Sequence, residues 1–480
     1  MQAASEKPLH PPFCPYIFRM PLKYNIWTIG CQMNEADSRH LGSQLESLGY
    51  LQTEQADEAD LVVMNTCVVR QQAEDRAVGR LQYISQLKMR KPELKVGLMG
   101  CMVGMKESGR LKERFPYVDV FMPPSDTEPL MNFLSDNAEH DADKLSETRR
   151  KAILNAVQDE EYILPALQKQ STVVANVPIV LGCSHACTFC IIPYRRGVER
   201  SRTREDILRE VQKLTDQGVR EVMLLGQIVD RYGCDFEEPY DLADLLADVA
   251  QNENLLRIRY LTGHPNYMTD KLIKAVRDIP KVCPHFEVPV QAGNDKVLED
   301  MRRGYTAQEY REVVARIRAV LPDAAINTDI IVGFPGETDD EFMDTYALLK
   351  ELELDKVHLA KYSERPKTIA ARQMPDDVSE DEKEQRRLKI DELTEEILAR
   401  RNLRYQDQVV EVLVESKAKE KWRGRTPDNR LVFFHDDRHL LGALVNVTVT
   451  QTGPWSLQAD QAEIVIPPHA LAEPVEAIPS

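Results

Sequence analysis

Short apolar runs alternate with amphipathic stretches over the first part of the chain. The apolar runs predict strands at residues 24–29, 61–65 and 96–99, and apolar positions spaced three and four apart predict helices at 35–48 and 71–87. A helix between two strands joins them in parallel, so this alternation predicts a parallel sheet of βα units. We assign residues 23–138 to this domain and residues 1–22 to an N-terminal tail.

The middle of the chain repeats strand and helix six times. Apolar runs predict strands at residues 174–181, 221–225, 257–260, 286–290, 326–332 and 356–360, with helices such as 204–217, 307–321 and 337–349 between them. A complete barrel of this type has eight strands, so six units predict a partial TIM barrel whose site lies at the C-terminal ends of the strands. We assign residues 171–403 to this domain.

Two further patterns border the predicted barrel. Residues 139–170 are charged and carry no strand pattern, which predicts a helical linker. At the other end, Ser379 and Glu382 have the spacing of a capping box. Ile390, Leu393 and Ile397 follow at helical spacing and predict a long closing helix.

The last part of the chain changes to strand patterns separated by turn residues. Strands are predicted at residues 409–414, 431–434 and 444–450, with glycine and proline between them. This favours a small antiparallel β-barrel over residues 404–467, followed by a C-terminal tail of residues 468–480. The whole chain is therefore predicted to be an α/β protein with three domains.

Composition narrows the class of protein. The chain has 480 residues and a net charge of −17, which argues against non-specific binding to DNA or other bulk nucleic acid. No apolar run approaches the roughly 20 residues that span a bilayer, and no secretory signal is recognised, so we expect a cytoplasmic protein without a membrane partner. In that reducing compartment, the 9 cysteines are better candidates for metal binding or catalysis than for disulfides.

Cys183, Cys187 and Cys190 form a C-x3-C-x2-C motif. A structural zinc site closes with four ligands, and a purely electron-carrying iron-sulfur cluster usually has four cysteines as well. Three thiolates without an obvious fourth therefore predict a cluster with one iron open to a substrate or cofactor.

Three other cysteines follow the predicted strands of the first domain. Cys31, Cys67 and Cys101 each lie one or two residues past a strand end. The C-terminal edge of an open parallel sheet is where ligands bind, so the three cysteines are predicted to converge there. The alternative for any one of them is a buried core cysteine, but three equivalent positions favour a common site.

Basic residues alternate along part of the C-terminal domain. In an extended strand, the side chains of Lys417, Lys419, Lys421, Arg423 and Arg425 would share one face and suit a phosphate backbone. A solvated edge strand is an equally good interpretation. The nearby aromatic residues could stack on bases or fill the barrel core; they are Trp422, Phe433, Phe434 and Trp455.

These motifs together resemble a known family. The cysteine motif, with Phe189 inside it and Ile191-Ile192-Pro193-Tyr194-Arg195-Arg196-Gly197 after it, is similar to the signature of radical S-adenosylmethionine enzymes. The stretches Gly30-Cys31-Gln32-Met33-Asn34, Asn65-Thr66-Cys67 and Met99-Gly100-Cys101 resemble the N-terminal domain of the methylthiotransferases within that superfamily. The resemblance runs from about residue 23 to residue 466 and includes a C-terminal TRAM domain.

The resemblance implies two [4Fe-4S] clusters, one for each cysteine trio, with S-adenosylmethionine as radical source and methyl donor. The second cluster would carry or supply sulfur, and a low-potential electron donor and a sulfur source would be partners. No catalytic side chain is identified beyond the cluster ligands. The implied cofactor contacts are Phe189, Ile192, Gly226, Gln227, Gln291, Gly333, Gly336 and Glu337.

The resemblance is strongest to the branch that modifies isopentenyladenosine beside the anticodon of tRNA. Cys31-Gln32-Met33-Asn34 and Gly424-Arg425-Thr426-Pro427-Asp428-Asn429-Arg430-Leu431-Val432-Phe433 resemble this branch, which adds Arg430 to the implied RNA contacts and makes tRNA the partner. The alternatives are the threonylcarbamoyladenosine enzyme, the enzyme that modifies an aspartate of a ribosomal protein, and a non-catalytic iron-sulfur protein that binds RNA.

Some positions depart from the family pattern or match none of its motifs. Ile228 stands where this branch usually has asparagine, Thr262 where it has serine, and Lys367 where it has glycine. His264 is interpreted as a structural histidine. No role is assigned to the remaining cysteines, which are Cys14, Cys234 and Cys283.

Overall fold

The computed structural model describes residues 21–69, 71–105, 109–138, 164–165, 168 and 171–468. The predicted helical linker lies almost entirely outside these residues, and so do Cys14 and most of the two predicted tails. The described residues form three α/β or β domains in the order that the sequence pattern predicted.

The N-terminal domain is a parallel sheet covered by helices. Its strands are β1 (Lys23–Thr28), β2 (Leu51–Gln52), β3 (Leu61–Thr66), β4 (Lys95–Gly100) and β5 (Val120–Met122), paired in the order β2-β1-β3-β4-β5. Its helices are α1 (Gln32–Ser47), α2 (Gln71–Arg90), α3 (Gly109–Arg114) and α4 (Glu128–Ala138). Strand β3 is buried along its whole length, as a central parallel strand must be when helices cover both faces.

Six parallel strands form the central domain. They are β6 (Val174–Pro178), β9 (Glu221–Leu225), β10 (Arg257–Leu261), β11 (His285–Glu287), β12 (Ala325–Val332) and β13 (Lys356–Lys361). They pair as β10-β9-β6 and β11-β12-β13, and β10 lies against β11. Among the described residues β6 and β13 do not pair, so the barrel is open between them, as predicted.

A two-stranded antiparallel ribbon, β7 (Val180–Leu181) with β8 (Arg200–Ser201), flanks the cysteine motif of this domain. The helices are α5 (Ile192–Arg196), α6 (Arg204–Asp216), α7 (Leu242–Val249), α8 (Asp270–Asp278), α9 (Asp295–Asp300), α10 (Ala307–Val320), α11 (Asp339–Leu352), α12 (Ile369–Gln373) and α13 (Glu380–Asn402). The strands and the inner faces of these helices enclose one large apolar core.

Helix α13 closes the domain and lies against β12 and β13. Its predicted apolar face is confirmed, since Ile390, Leu393 and Ile397 are buried. The predicted capping box forms only in part. Ser379 Oγ accepts from Glu382 N at 3.2 Å, but the Glu382 carboxylate is turned to Arg386, which makes the better charged pair.

The C-terminal domain is a closed five-stranded barrel. Its strands are β14 (Val409–Ala418), β15 (Lys421–Arg425), β16 (Leu431–Phe434), β17 (Leu444–Thr452) and β18 (Leu457–Ile466), closed in the order β14-β15-β16-β18-β17. The small antiparallel barrel is confirmed: four of its five pairings are antiparallel, and one, β16 with β18, is parallel. Strands β15 and β18 were not predicted, because their exposed charged and polar residues interrupt the alternation of apolar and polar positions.

The small barrel docks under the central one. Arg259, buried in the middle of β10, donates to the carbonyl oxygens of Thr426 and Pro427, both at 2.7 Å. Arg257 likewise donates to the carbonyl oxygen of Arg425 at 2.6 Å. The C-terminal domain therefore covers the N-terminal ends of the barrel strands and leaves their C-terminal ends free for a site.

Candidate active site

The first cysteine trio lies on the loop between β7 and α5, at the C-terminal end of the first barrel strand. Cys183 and Cys187 are buried and Cys190 is half-buried. The loop folds back sharply, since Cys183 N donates to Gly197 O at 3.0 Å and Gly182 has a φ of +72°. A Cβ at Gly182 would lie 2.2 Å from Val198 O, so only glycine allows this close approach.

Burial controls the protonation of these thiols. It raises the pKa of Cys183, and it raises that of Cys190 to about 12, with the neighbouring cysteines adding to the shift. A thiol ligand must lose its proton to bind a metal. The site therefore requires a positive charge, from metal or from protein, to hold three thiolates together.

Arg303 supplies one such charge. Its Nη1 donates to Cys187 Sγ at 3.1 Å and its Nε to Tyr305 Oη at 2.9 Å, and the side chain is buried. Within the part of the chain that the structure describes, no carboxylate oxygen lies within 4.0 Å of this guanidinium. A buried cation without a carboxylate is costly, so this pocket suits an anionic group such as an iron-sulfur cluster held by thiolates.

No group of three His, Cys, Asp or Glu side chains among the described residues is arranged to hold a single metal ion. The donor set at the first trio is three cysteines beside a buried arginine, which fits a negatively charged cluster held by thiolates.

The second trio meets at the C-terminal edge of the N-terminal sheet, where it was predicted. Cys31 follows β1 and begins α1, Cys67 follows β3, and Cys101 follows β4. Burial, with the nearby Cys67 and Cys31, raises the pKa of Cys101 to about 11. The structure therefore brings together three cysteines that are far apart in the sequence.

Helix α5 connects the two trios. It begins two residues after Cys190 and ends at Arg196, whose guanidinium lies 3.4 Å from the Asp37 carboxylate and close enough to Cys101 to oppose the rise in the pKa of that thiol. Burial alone would lower the pKa of Arg196, but Asp37 and the cysteines raise it. The helix spans only about 8 Å at 1.5 Å per residue, so both trios face one region between the domains.

The residues implied as cofactor contacts divide into two groups. Ile192 packs with Cys183 and Ile228 beside the first trio, and Phe189 is partly buried against the barrel core. Gly226 and Gln227 follow the end of β9, and Gln291, with a φ of +76°, bridges to β12 through its backbone. Of these residues, Ile192 packs directly against the first trio, and Ile228 beside it is apolar where the resemblance implied asparagine.

The second group lies on the loop after β12. Glu337 accepts from Gly333 N at 2.6 Å and from Arg386 Nη1 at 2.8 Å, and it is buried. Gly336 N donates to Asp377 Oδ1 at 2.7 Å. These contacts join the loop to helix α13 and to the segment before it.

Several residues near the first trio were missed as site residues or interpreted as structural. His185 lies within the cysteine motif, and its Nε2 is 3.0 Å from Tyr267 Oη. The ring of His264 lies 4.9 Å from that of His185, and its Nε2 is buried without a hydrogen-bond partner. Burial raises the pKa of Asp230, which accepts from His264 N, to about 7. The position of His185 between two cysteines was the one available signal.

The basic residues of the C-terminal domain do not lie on one strand, so that expectation is wrong. Lys417 ends β14, Lys419 and Glu420 form a tight turn with φ of 49° and 67°, and β15 returns antiparallel to β14. Lys421, Arg423 and Arg425 still alternate along β15, on the face opposite buried Trp422. The alternation of basic residues could not predict this turn, because a basic residue stands at every second position from Lys417, in β14, through the turn to Arg425, in β15.

The other implied RNA contacts also separate. Arg430 is buried and pairs with Asp355 of the central domain, so it joins two domains and is not exposed to RNA as expected. Trp422 and Phe434 belong to the barrel core, whereas Trp455 is 57% exposed. Of the aromatic residues considered, Trp455 presents the largest free surface.

Three family models match the chain, one in each domain. Residues 23–123 match the Uncharacterized protein family UPF0004, residues 177–349 the Radical SAM superfamily, and residues 403–461 the TRAM domain. Within the described residues no helix has the length and apolar character needed to cross a membrane.

A solved structure shares the fold at low sequence identity. The radical S-adenosylmethionine methyltransferase TsrM from Kitasatospora setae, with cobalamin and a [4Fe-4S] cluster bound, superposes with a TM-score of 0.50 at 10% identity, covering 73% of this chain and 77% of that one. At this identity the likeness concerns the fold alone.

Curated relatives are similar along most of their length. The tRNA-2-methylthio-N(6)-dimethylallyladenosine synthase of Roseiflexus sp. (strain RS-1) is 45% identical over 91% of this chain and 89% of its own. The enzymes of the same name from Dehalococcoides mccartyi (strain CBDB1) and Thermoanaerobacter pseudethanolicus are 43% and 38% identical over 92% of this chain, covering 99% and 93% of their own. With its two cysteine trios and three matching domains, the chain belongs to the methylthiotransferase family of radical S-adenosylmethionine enzymes.

Proposed function

We propose that this chain is a tRNA methylthiotransferase that converts N6-isopentenyladenosine next to the anticodon to its 2-methylthio derivative. The relatives of about 40–45% identity carry the name of that enzyme and match nearly the whole chain. The observation that carries the proposal is the presence of two cysteine trios on either side of helix α5, because a second cluster can carry or supply the sulfur atom that the reaction inserts.

The residues that would hold the cofactors border the region between the N-terminal domain and the barrel. Cys183, Cys187 and Cys190 would bind one [4Fe-4S] cluster, and Cys31, Cys67 and Cys101 the other. When bound, these clusters and S-adenosylmethionine supply the one-electron chemistry, the sulfur and the methyl group, which side-chain acids and bases cannot provide.

The protein's own residues arrange this chemistry. Arg303 orients Cys187 through its hydrogen bond, and Ile192 and Ile228 keep water from the side of Cys183 against which they pack. The Gly226 backbone approaches Val229 and Val180 so closely that a Cβ would lie 2.9 Å from Val229 Cα, which fixes the turn beside the first trio. A rigid, dry wall of this kind protects a reactive intermediate from solvent.

The C-terminal barrel would contact the tRNA. Lys421 and Arg423 project from the outer face of β15, Lys419 occupies the exposed turn, and Trp455 offers a stacking surface. These positive charges give a local phosphate-binding surface on an acidic protein. The target base would leave its stack to reach the clusters.

Two partners follow from the proposed reaction, a low-potential one-electron donor and a source of sulfur. The substrate is a cytoplasmic RNA, and exposed Cys31 requires a reducing environment, so we place the enzyme in the cytoplasm.

The test is anaerobic reconstitution of the full chain with iron and sulfide, followed by incubation with S-adenosylmethionine, dithionite and isopentenylated tRNA. Mass spectrometry of the digested tRNA should show methylthio-isopentenyladenosine, and unmodified tRNA serves as the control substrate. A methylthio-aspartyl peptide formed only with ribosomal subunits would establish the ribosomal-protein enzyme instead. Product only with threonylcarbamoyladenosine tRNA would establish that branch, and no 5′-deoxyadenosine with any substrate would reject a radical enzyme.

A further inference from the structure

Among the described residues, each cysteine trio has a buried arginine beside it. Arg303 donates to Cys187 Sγ at 3.1 Å, and Arg196 lies close enough to Cys101 to oppose the rise in the pKa of its thiol. Both arginines are 7% exposed. The two arginines come from different parts of the barrel domain, Arg303 from the segment after α9 and Arg196 from the end of α5.

The two arginines differ in how their charge is balanced. Asp37 lies 3.4 Å from Arg196 Nη2, and Ser125 Oγ accepts from Arg196 Nη1 at 3.3 Å. Arg303 has only neutral acceptors besides the thiol, the Tyr305 hydroxyl at 2.9 Å and the Pro289 carbonyl oxygen at 3.3 Å. Among the described residues no carboxylate therefore pairs with Arg303, and Glu199, whose charge also acts on Cys183, pairs instead with Arg231, whereas the charge of Arg196 at the second trio is part of an ion pair with Asp37.

This difference has a physical consequence for any cluster bound there. Reduction adds one negative charge to a cluster, so a buried cation at a ligand sulfur favours the reduced form and raises the reduction potential. A carboxylate beside the cation cancels most of that effect, because the opposite potentials of the two adjacent charges nearly offset each other at the cluster.

We propose that Arg303 is a positioning residue that raises the reduction potential of the cluster at Cys183, Cys187 and Cys190. At the other cluster, the negative charge of Asp37 cancels the equivalent effect of Arg196. A single electron from a one-electron donor then resides on the first cluster, and the donor leaves oxidised by one electron. No bond forms or breaks in this step. The inference rests on the proposed two-cluster function.

The test is a redox titration of the reconstituted full chain with dithionite and mediators, followed by electron paramagnetic resonance of the reduced clusters. A variant with Cys31, Cys67 and Cys101 all changed to Ala isolates the first cluster. In that background we expect Arg303→Gln to lower the reduced-to-oxidised ratio at a fixed potential about tenfold, which is a shift of about 59 mV for one electron. Arg303→Lys, which keeps the charge, should restore most of the ratio.

The matched control is Arg302→Gln, which removes the same charge from the exposed neighbouring residue and should leave the ratio unchanged. At the second trio, Asp37→Asn should act in the opposite direction and raise the reduced fraction of its cluster. This is measured in a variant with Cys183, Cys187 and Cys190 changed to Ala. Iron content measured on every variant shows that the cluster compared is present.

An unchanged first-cluster ratio in Arg303→Gln with full iron content would overturn the inference and leave the proposed function intact. An equal fall in Arg303→Lys would also overturn it, since the effect would then come from packing rather than charge. If the unsubstituted chain binds only one cluster, the proposed function itself fails, and the inference fails with it.

Discussion

Arg39 of helix α1 forms a 2.7 Å ion pair with Glu210 of helix α6, and the Glu210 side chain has no exposure to solvent. The same carboxylate accepts from Arg202 at 2.6 Å, and Arg39 also donates to Asn176 O at 2.7 Å. One buried carboxylate thus joins the N-terminal domain to the barrel and keeps the two cysteine trios facing each other.

Replacing that carboxylate should separate the domains. Glu210→Ala leaves the guanidinium groups of buried Arg39 and half-buried Arg202 without their shared partner, which typically costs about 3–5 kcal/mol. We expect a lower midpoint of urea unfolding, which is measured by tryptophan fluorescence, to which Trp27 of the N-terminal domain contributes. Glu238→Ala, at an exposed position, is the control and should change the free energy of unfolding by no more than about 0.5 kcal/mol. Equal midpoints for both variants would show that Glu210 does not hold the domains together.

The two cysteine trios should divide the reaction between them. Cys187→Ala should abolish formation of 5′-deoxyadenosine, because the cluster beside Arg303 loses a ligand. Cys67→Ala should keep that cleavage but abolish sulfur insertion into tRNA. Chromatography of deoxyadenosine and mass spectrometry of the tRNA measure the two outcomes. Cys283→Ala, which changes a buried cysteine outside both trios, is the control. Equal loss of cleavage in Cys187→Ala and Cys67→Ala would refute the division.

The outer face of β15 should contribute to tRNA affinity. Lys421→Ala and Arg423→Ala each remove one charge, so we expect weaker binding and a slope of log K against log salt that is smaller by about 0.7–0.9 for each lost phosphate contact. Filter binding at several salt concentrations measures this slope. Arg438→Ala removes the same charge from a side chain already paired with Asp436, and it should leave the slope unchanged. The prediction fails if Arg438→Ala and Arg423→Ala reduce the slope equally.

Stability should fall as the pH drops below about 6.5. Burial lowers the pKa of His285 to about 4, while Glu287, Asp355 and Asp428 oppose the shift and Arg259 adds to it. The unfolded chain takes up this proton near pH 6.5 and the folded chain only near pH 4, so folding loses about 1.4 kcal/mol per pH unit between these values. Urea unfolding of His285→Asn at pH 7 and pH 5 should show a smaller loss than the unsubstituted chain.

His435→Asn is the matched control for this pH dependence, because His435 is exposed. It should lose as much stability on acidification as the unsubstituted chain. A loss in His285→Asn that equals the loss in both of these proteins would exclude His285 as the source. Other histidines also reduce the stability at low pH; burial lowers the pKa of His40, for example, to about 4. This contribution is the same in all three proteins, so it cancels in the comparison.

Local features of the fold were predictable because they depend on residues that are near one another in the chain. The strand at Glu221–Leu225 was predicted to the residue, and Ser379 forms the helix cap that its spacing indicated. Strand β2 has two residues, which is too short for any alternation to be visible. Strand β15 was not predicted as a separate strand, because the basic residues from Lys417 to Arg425 stand at every second position on both sides of the turn that precedes it.

Long-range contacts were not predictable, even for residues that the sequence singled out. Arg430 had the composition of an RNA contact, but Asp355, 75 residues away, holds it between two domains. Glu337 matched a cofactor motif, yet Arg386 on the closing helix occupies its carboxylate. The charge of a motif residue does not identify the residue that pairs with it, because that partner depends on how distant segments of the chain pack together.

The sequence by itself determined the chemistry, because thiolates at Cys183, Cys187 and Cys190 and at the ends of three strands are properties of residue type, spacing and strand order. Only the tertiary structure decided how those thiolates are surrounded. Arg303, 116 residues from Cys187, reaches its sulfur without a carboxylate, while Arg196 reaches Cys101 together with Asp37. Electrostatic energy depends on distances through space and on burial, and the order of residues along the chain does not reveal either of them directly.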